Sequence, residues 1–230
     1  MLLYHGSNKI INNPQYGMGN PHNDYGLGFY CTEDKELAKE WACPEAQNGV
    51  ANIYELDLNE FQVLDLQSEK YHVLNWIAIL LKNRVFAKKT PIAKAAEKYI
   101  LEEFLPDTKG CDIICGYRAD DSYFSYAKDF LNNAISVEQL EQAMRLGELG
   151  NQIVLMSKRA IENLSFVNYE IAEATIYYTK RQLREQRARS QYLEDSENVF
   201  LNVNQGLYAL EIVRNEVKNN DERLFRTVCK

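Results

Sequence analysis

The longest apolar run in this chain is VLNWIAILL, from Val73 to Leu81. A helix that crosses a bilayer needs about 20 apolar residues, so this run does not suffice. The start MLLYHGSNKII lacks the charged n-region and adequate h-region of a secretory leader, and a cytosolic protein is expected. With 230 residues and 46% hydrophobic content, the chain has material for one large domain, or one domain with an appendage.

The period of the apolar pattern changes repeatedly along the chain, which predicts an α+β fold. Leu2 to Tyr4 is a short apolar run ended by His5-Gly6-Ser7; NKIINNPQYGMGNPHND then reads as a loop leading to a strand at Gly28 to Thr32. Thr32 is placed to cap a helix from Glu33 to Ala42, which Pro44 stops. In ANIYELDL, residues 51–58, Ile53 and Glu55 alternate with Tyr54, Leu56 and Leu58 as in a half-exposed strand, and Gln62 to Leu66 repeats the pattern. Tyr71 to Phe86 and Pro91 to Phe104 carry apolar residues at helical spacing.

Cys111 to Tyr117 then reads as a buried strand, and ADDSYFSYAKDFLNN as a loop entering a helix capped by Asp121 or Ser122. Ser136 caps a further helix that ends near Gly147. Strands are expected at Gln152 to Met156 and Leu164 to Ala172. From Thr175 the pattern turns helical: a basic helix to Tyr192, an acidic break EDSEN, and a last helix from Val199 to Val217 with an apolar stripe.

Several chemistries are set aside by composition. The five cysteines are scattered without a CxxC pair and only three histidines accompany them, so neither a disulfide framework nor a metal site is expected. His22 and His72 have no obvious partner and read as surface residues. The chain holds no P-loop, GxSxG or HExxH, and GMGNPHNDYGLG does not follow the glycine spacing of a dinucleotide fingerprint. A net charge of −7 argues against wholesale coating of nucleic acid, yet Lys180, Arg181, Arg184, Arg187 and Arg189 crowd one segment that could meet a phosphate backbone, an acidic partner or solvent.

What remains is a combination: His5-Gly6-Ser7 after the first apolar run, Gly-x-Gly-Phe-Tyr at a second strand, and Trp41 eleven residues after Tyr30 on the next helix. LYHGS and GLGFYCTEDKELAKEW resemble the corresponding elements of ADP-ribosyltransferases of the diphtheria-toxin-like and poly(ADP-ribose) polymerase-like branch. With ADDSYF and QIVLMSKRAIENLSF in the same order, roughly residues 2 to 190 are also similar to a bacterial family of uncharacterised, ADP-ribosyltransferase-like proteins often encoded beside a small antitoxin-like partner. The resemblance implies a split mixed β-sheet core over residues 1–174, with a helical insertion at about 70–105. Residues 175–230 would be a helical C-terminal extension packed on it.

The implied activity is transfer of a single ADP-ribose from NAD to a macromolecule by a bacterial toxin or effector. The basic segment favours nucleic acid slightly over protein as acceptor. By resemblance, the backbone of Gly6 grips the nicotinamide carboxamide, His5 assisted by Ser7 bonds the adenosine ribose, Gly28 lets the chain turn tightly beside the ligand, and Tyr30 and Trp41 offer flat faces to the nicotinamide. The polymerase-like glutamate that opens a later strand is missing, since that strand begins Gly150-Asn151-Gln152. Asn151 or Gln152 can still bond a ribose hydroxyl, Glu148 lies just upstream, and Asp120 precedes the residue that caps the following helix; each is a candidate replacement. A catalytically silent module that binds NAD, ADP-ribose or a protein, and an NAD hydrolase, are the competing readings.

Overall fold

The computed structural model describes residues 1–85, 90–118, 121–201 and 206–225. Its described strands divide between two sheets, giving an α+β architecture. β1 (Leu2–Ser7), β3 (Gly49–Glu55) and β7 (Ser165–Ala172) form an antiparallel sheet in the order β1-β3-β7. β2 (Phe29–Cys31), β6 (Asn151–Leu155), β5 (Ile113–Tyr117) and β4 (Val63–Asp65) form a mixed sheet in the order β2-β6-β5-β4, with β4 parallel to β5.

The sheets meet where Tyr4 and Thr32 exchange both backbone bonds, Tyr4 N–H to Thr32 O at 2.8 Å and the reverse at 3.0 Å. β1 therefore runs through His5-Gly6-Ser7 instead of ending before them, because β3 pairs it as far as Ser7↔Val50. Leu3, Cys31, Leu56, Ile153, Leu155 and Ile161 fill the space between the sheets.

Thr32 is spent at this joint, so the cap of α1 (Lys35–Ala42) falls to Asp34, which accepts from the N–H groups of Glu36 and Leu37 at 2.8 and 3.1 Å. α2 (Val73–Asn83) and α3 (Pro91–Glu103) occupy the two predicted helical segments. Thr90 caps the second, and Pro91 stands in its first turn where no N–H is needed. α4 (Asp121–Leu131) and α5 (Val137–Arg145) follow, the latter behind a capping box of Ser136 and Gln139. These helices enclose the larger core cluster with Trp76, Phe104, Tyr126 and Phe130 at its centre. His72 is buried at the cap of α2, edge-on to Phe104 and Phe225, and is not the surface residue expected; His22 is exposed.

A short helix the pattern did not show, α6 (Lys158–Glu162), follows β6. α7 (Ala174–Leu201) runs 28 residues without the acidic break expected at EDSEN. The helix expected from Val199 to Val217 does not form as one piece. Its first residues belong to the end of α7, Gly206 sits at φ +131, outside helical space, Tyr208 bridges to Ser136, and helix resumes at Ala209–Arg214 as α8. No helix among the described residues is long and apolar enough to cross a membrane.

α7 is fastened to α1 by charge. Lys180 reaches Glu36 at 3.1 Å and Arg184 reaches Glu40 at 2.7 Å, while Arg181 pairs with Glu185 of its own helix at 2.9 Å. Glu40 is buried, which raises its carboxyl pKa against the opposing pull of Arg184. Removing one member of a buried pair strands the other charge. Arg184→Ala is therefore expected to cost about 3 kcal/mol, measured as a lower urea midpoint, whereas Arg187→Ala should leave the midpoint unchanged.

Candidate functional site

Beside the joint the strands part, and an open cleft of about 410 Å³ lies at the divergence. A volume in this range suits a small-molecule ligand or part of a nucleotide. Its walls are His5 of β1, Gly28-Phe29-Tyr30 at the start of β2, Ile161 of α6, and the loop that carries Lys9, Ile11 and residues 13–23. Three residues singled out by resemblance, His5, Gly28 and Tyr30, thus meet in one place.

His5 stacks on Phe29 with ring centroids 4.3 Å apart, and its Nδ1 lies 2.7 Å from the carbonyl oxygen of Tyr30. A carbonyl can only accept, so Nδ1 carries the proton and Nε2 is left with its lone pair. Burial lowers the His5 pKa below its ordinary value, which keeps the ring neutral at pH 7.

Tyr30 is tied at its far end. Its hydroxyl donates to Gly26 O at 2.6 Å and accepts from Tyr25 N–H at 3.1 Å, closing the turn in which Gly26 takes φ +83. That turn is moored to the end of α2 by Arg84 on Asp24 at 2.7 Å and to the end of β5 by Tyr25 OH on Tyr117 O at 2.6 Å. Burial raises the Tyr30 phenol pKa far above its usual value, so the hydroxyl stays protonated and the ring is a fixed neutral wall.

Gly6 does not line the cleft by its Cα. A Cβ there would collide with the carbonyl oxygen of Ala38, so the glycine lets α1 lie directly on β1. Its backbone polar groups matter separately. Along an antiparallel strand, successive residues direct their N–H and C=O to opposite sides. Tyr4 points its pair at β2, so Gly6, two residues on, points its own N–H and C=O to the same edge, where β2 has already turned away. Gly28 is likewise packed tightly, facing Val154 of β6.

The other predicted residues among those described do not line the cleft. Ser7 Oγ donates to Lys9 O at 2.5 Å and accepts from Asn52 Nδ2 at 3.0 Å. Trp41 is not paired with Tyr30 in a slot; the guanidinium of Arg118 covers its ring. Tyr30 pairs with Val154, so Asn151 begins β6 three residues beyond it, roughly 10 Å along the strand. There Asn151 accepts from Gln67 Nε2 at 2.6 Å, and the buried Gln152 donates to Cys31 O at 3.2 Å. Glu148 is exposed in the preceding turn at φ +49, its carbonyl bound by Arg184. Asp120 lies outside the described residues. Among the described residues no cluster of three or more His, Cys, Asp or Glu side chains could hold a metal ion.

Two residues of this region escaped the sequence reading. Lys9 is exposed at the cleft, and Asn52 of β3 is fully buried beneath the loop. Asn52 was detectable: it falls in the same alternation as Tyr54 and Leu56, which places an amide on the buried face of the strand.

Residues 1–166 match the family described as a protein of unknown function, DUF3990, and the chain belongs to that family. No curated protein and no solved structure matches it.

Two measurements follow from this geometry. The unfolded chain takes up a proton at a histidine near pH 6.5, before folded His5 does, so the His5 contribution to stability is complete above about pH 6.5 and falls as pH drops through that value. Urea midpoints of His5→Asn and wild type between about pH 5 and 7 should show a shallower loss for the variant. Gly6→Ala should destabilise the fold by about 1–3 kcal/mol through overpacking against α1, read by thermal melting without ligand; an unchanged melt would mean that α1 can shift freely.

Proposed function

We propose that the protein is a mono-ADP-ribosyltransferase that draws ADP-ribose from NAD. The observation that carries the reading is that no described strand pairs with the outer edge of β1 at Gly6, next to the neutral His5 and the wall formed by Tyr30. A carboxamide needs one donor and one acceptor side by side, and the N–H and C=O of a single strand residue supply that pair. Nε2 of His5 accepts from a ribose hydroxyl, and the ring of Tyr30 gives the nicotinamide a flat contact. The dinucleotide then runs from the cleft along β1 toward the start of β6.

Departure of nicotinamide builds positive charge on the ribose, which a carboxylate stabilises best. None of the described residues lining the cleft is an Asp or Glu, so the charge falls to Glu148 or Asp120, with Asn151 and Gln152 able to offer neutral hydrogen bonds. The second reading, a silent module that holds NAD or ADP-ribose, is favoured by Gln152, whose amide is already bound to Cys31 O. Lys180, Arg181 and Arg184 pair with the protein's own acids, so protein and nucleic acid stand level as acceptors.

The test is transfer of tagged NAD into bacterial lysate by wild type and by a folded His5→Ala variant, followed by protease, DNase and RNase digestion of the product. Label should appear in macromolecules and drop at least tenfold in the variant, and the digestion that removes it identifies the acceptor. Equal labelling by both proteins would sink the assignment of His5. Free ADP-ribose as sole product would make the protein a hydrolase, and calorimetric binding without nicotinamide release would make it a silent module.

A further inference from the structure

The cleft has a charge asymmetry that the preceding roles leave unused. Lys9 is the one charged side chain among its described lining residues, in a chain with 33 acidic and 26 basic residues. Its ammonium forms no ion pair with the described residues, whereas Lys35, Lys39, Lys180 and Lys218 each hold a carboxylate. The cleft is thus a concave surface with an uncompensated cation at its mouth and a neutral acceptor, His5, at its wall.

The backbone of Lys9 is also fixed, and not by secondary structure. Asn52 shares its amide hydrogens among Ser7 Oγ at 3.0 Å, Lys9 O at 3.2 Å and His5 O at 3.3 Å, while its Oδ1 accepts from Ile11 N–H at 2.8 Å. Tyr54, fully buried beside it, donates to Ile11 O at 2.5 Å. Polar groups are costly to bury unless they are bonded, and these two direct their bonds to β1 and the loop that follows it. The loop between Ser7 and Ile11 is held before any ligand arrives, which lowers the ordering cost of binding there.

We infer that Lys9 is the phosphate anchor of this cleft and that Asn52 is the residue that positions it, an inference that rests on the reading of the cleft as a nucleotide site. The ligand class is a nucleotide bearing a diphosphate: the ammonium meets the phosphate oxygens, and the wall of Ile11, Phe29 and Ile161 meets the apolar face of the base or sugar. Lys9 makes no bond to the reacting carbon. It fixes the ligand by charge, and Asn52 acts through it.

The experiment is calorimetric titration of the full chain, as wild type, Lys9→Gln, Asn52→Ala and the double variant, with ADP, ADP-ribose, NAD and adenosine. Lys9 is exposed, so Lys9→Gln should melt as wild type does. It should weaken ADP and ADP-ribose about tenfold, with a smaller salt dependence, and leave adenosine unchanged. Asn52→Ala should weaken the same ligands, and the double variant should be no weaker than the weaker single one, because both changes disable one contact. Equal affinity of Lys9→Gln and wild type for ADP and ADP-ribose would overturn the inference, as would additive losses for the positioning role of Asn52. Lys9-dependent binding of ADP with no binding of NAD would uphold the anchor and end the NAD reading; no binding of any phosphate ligand by wild type would end both.

Discussion

The reciprocal pair between Tyr4 and Thr32 governs the rest of the molecule. It joins two sheets whose strands then diverge, and beyond it the outer edge of β1 has no ladder partner among the described residues. A strand edge with unsatisfied N–H and C=O groups is usually a liability. Here α1 lies across one face of β1 at Gly6, Asn52 and the loop from Ser7 to Ile11 bind each other beyond it, and His5 is the residue of β1 that lines the cleft. The same joint consumes the backbone of Thr32, which moves the cap of α1 to Asp34 and fixes where that helix begins.

Much of the fold was legible because most elements carry their own boundary chemistry. Pro91 after Thr90, Ser136 three residues before Gln139, and the alternation in ANIYELDL each place an element through local physics, and the structure has them there. Two of the failures share a cause. The start of α1 is decided by a long-range pair, and the end of the helical tail is decided by Gly206 pressing on Ser136 and Glu138, residues about 70 positions away in sequence. EDSEN reads as a break because its acidic residues repel, yet a helix already propagating needs little from each added residue.

Of the residues singled out in the sequence, some fall together at the cleft and others serve packing, while the polar supports gave little signal. His5, Gly28 and Tyr30 meet at the cleft, but Gly6 is needed first for close packing of α1, and the far end of Tyr30 is engaged in closing a turn. Trp41 sits eleven residues from Tyr30, as expected, but that spacing along the chain does not place it opposite Tyr30 across a gap; Arg118, from the end of β5, takes its face instead. Lys9 is unremarkable in a loop rich in asparagine, and its setting depends on an asparagine more than forty residues further along the chain.

The arrangement of the two indoles gives the molecule an optical character of its own. Trp76 is buried with its N–H on Tyr117 O at 3.1 Å, while Trp41, one helix away from the joint, is partly open and lies under a guanidinium. The first emits from a dry, rigid interior and follows the whole fold. The second emits at the boundary between α1 and water, so the blue and red sides of a single emission band belong to different parts of the same chain.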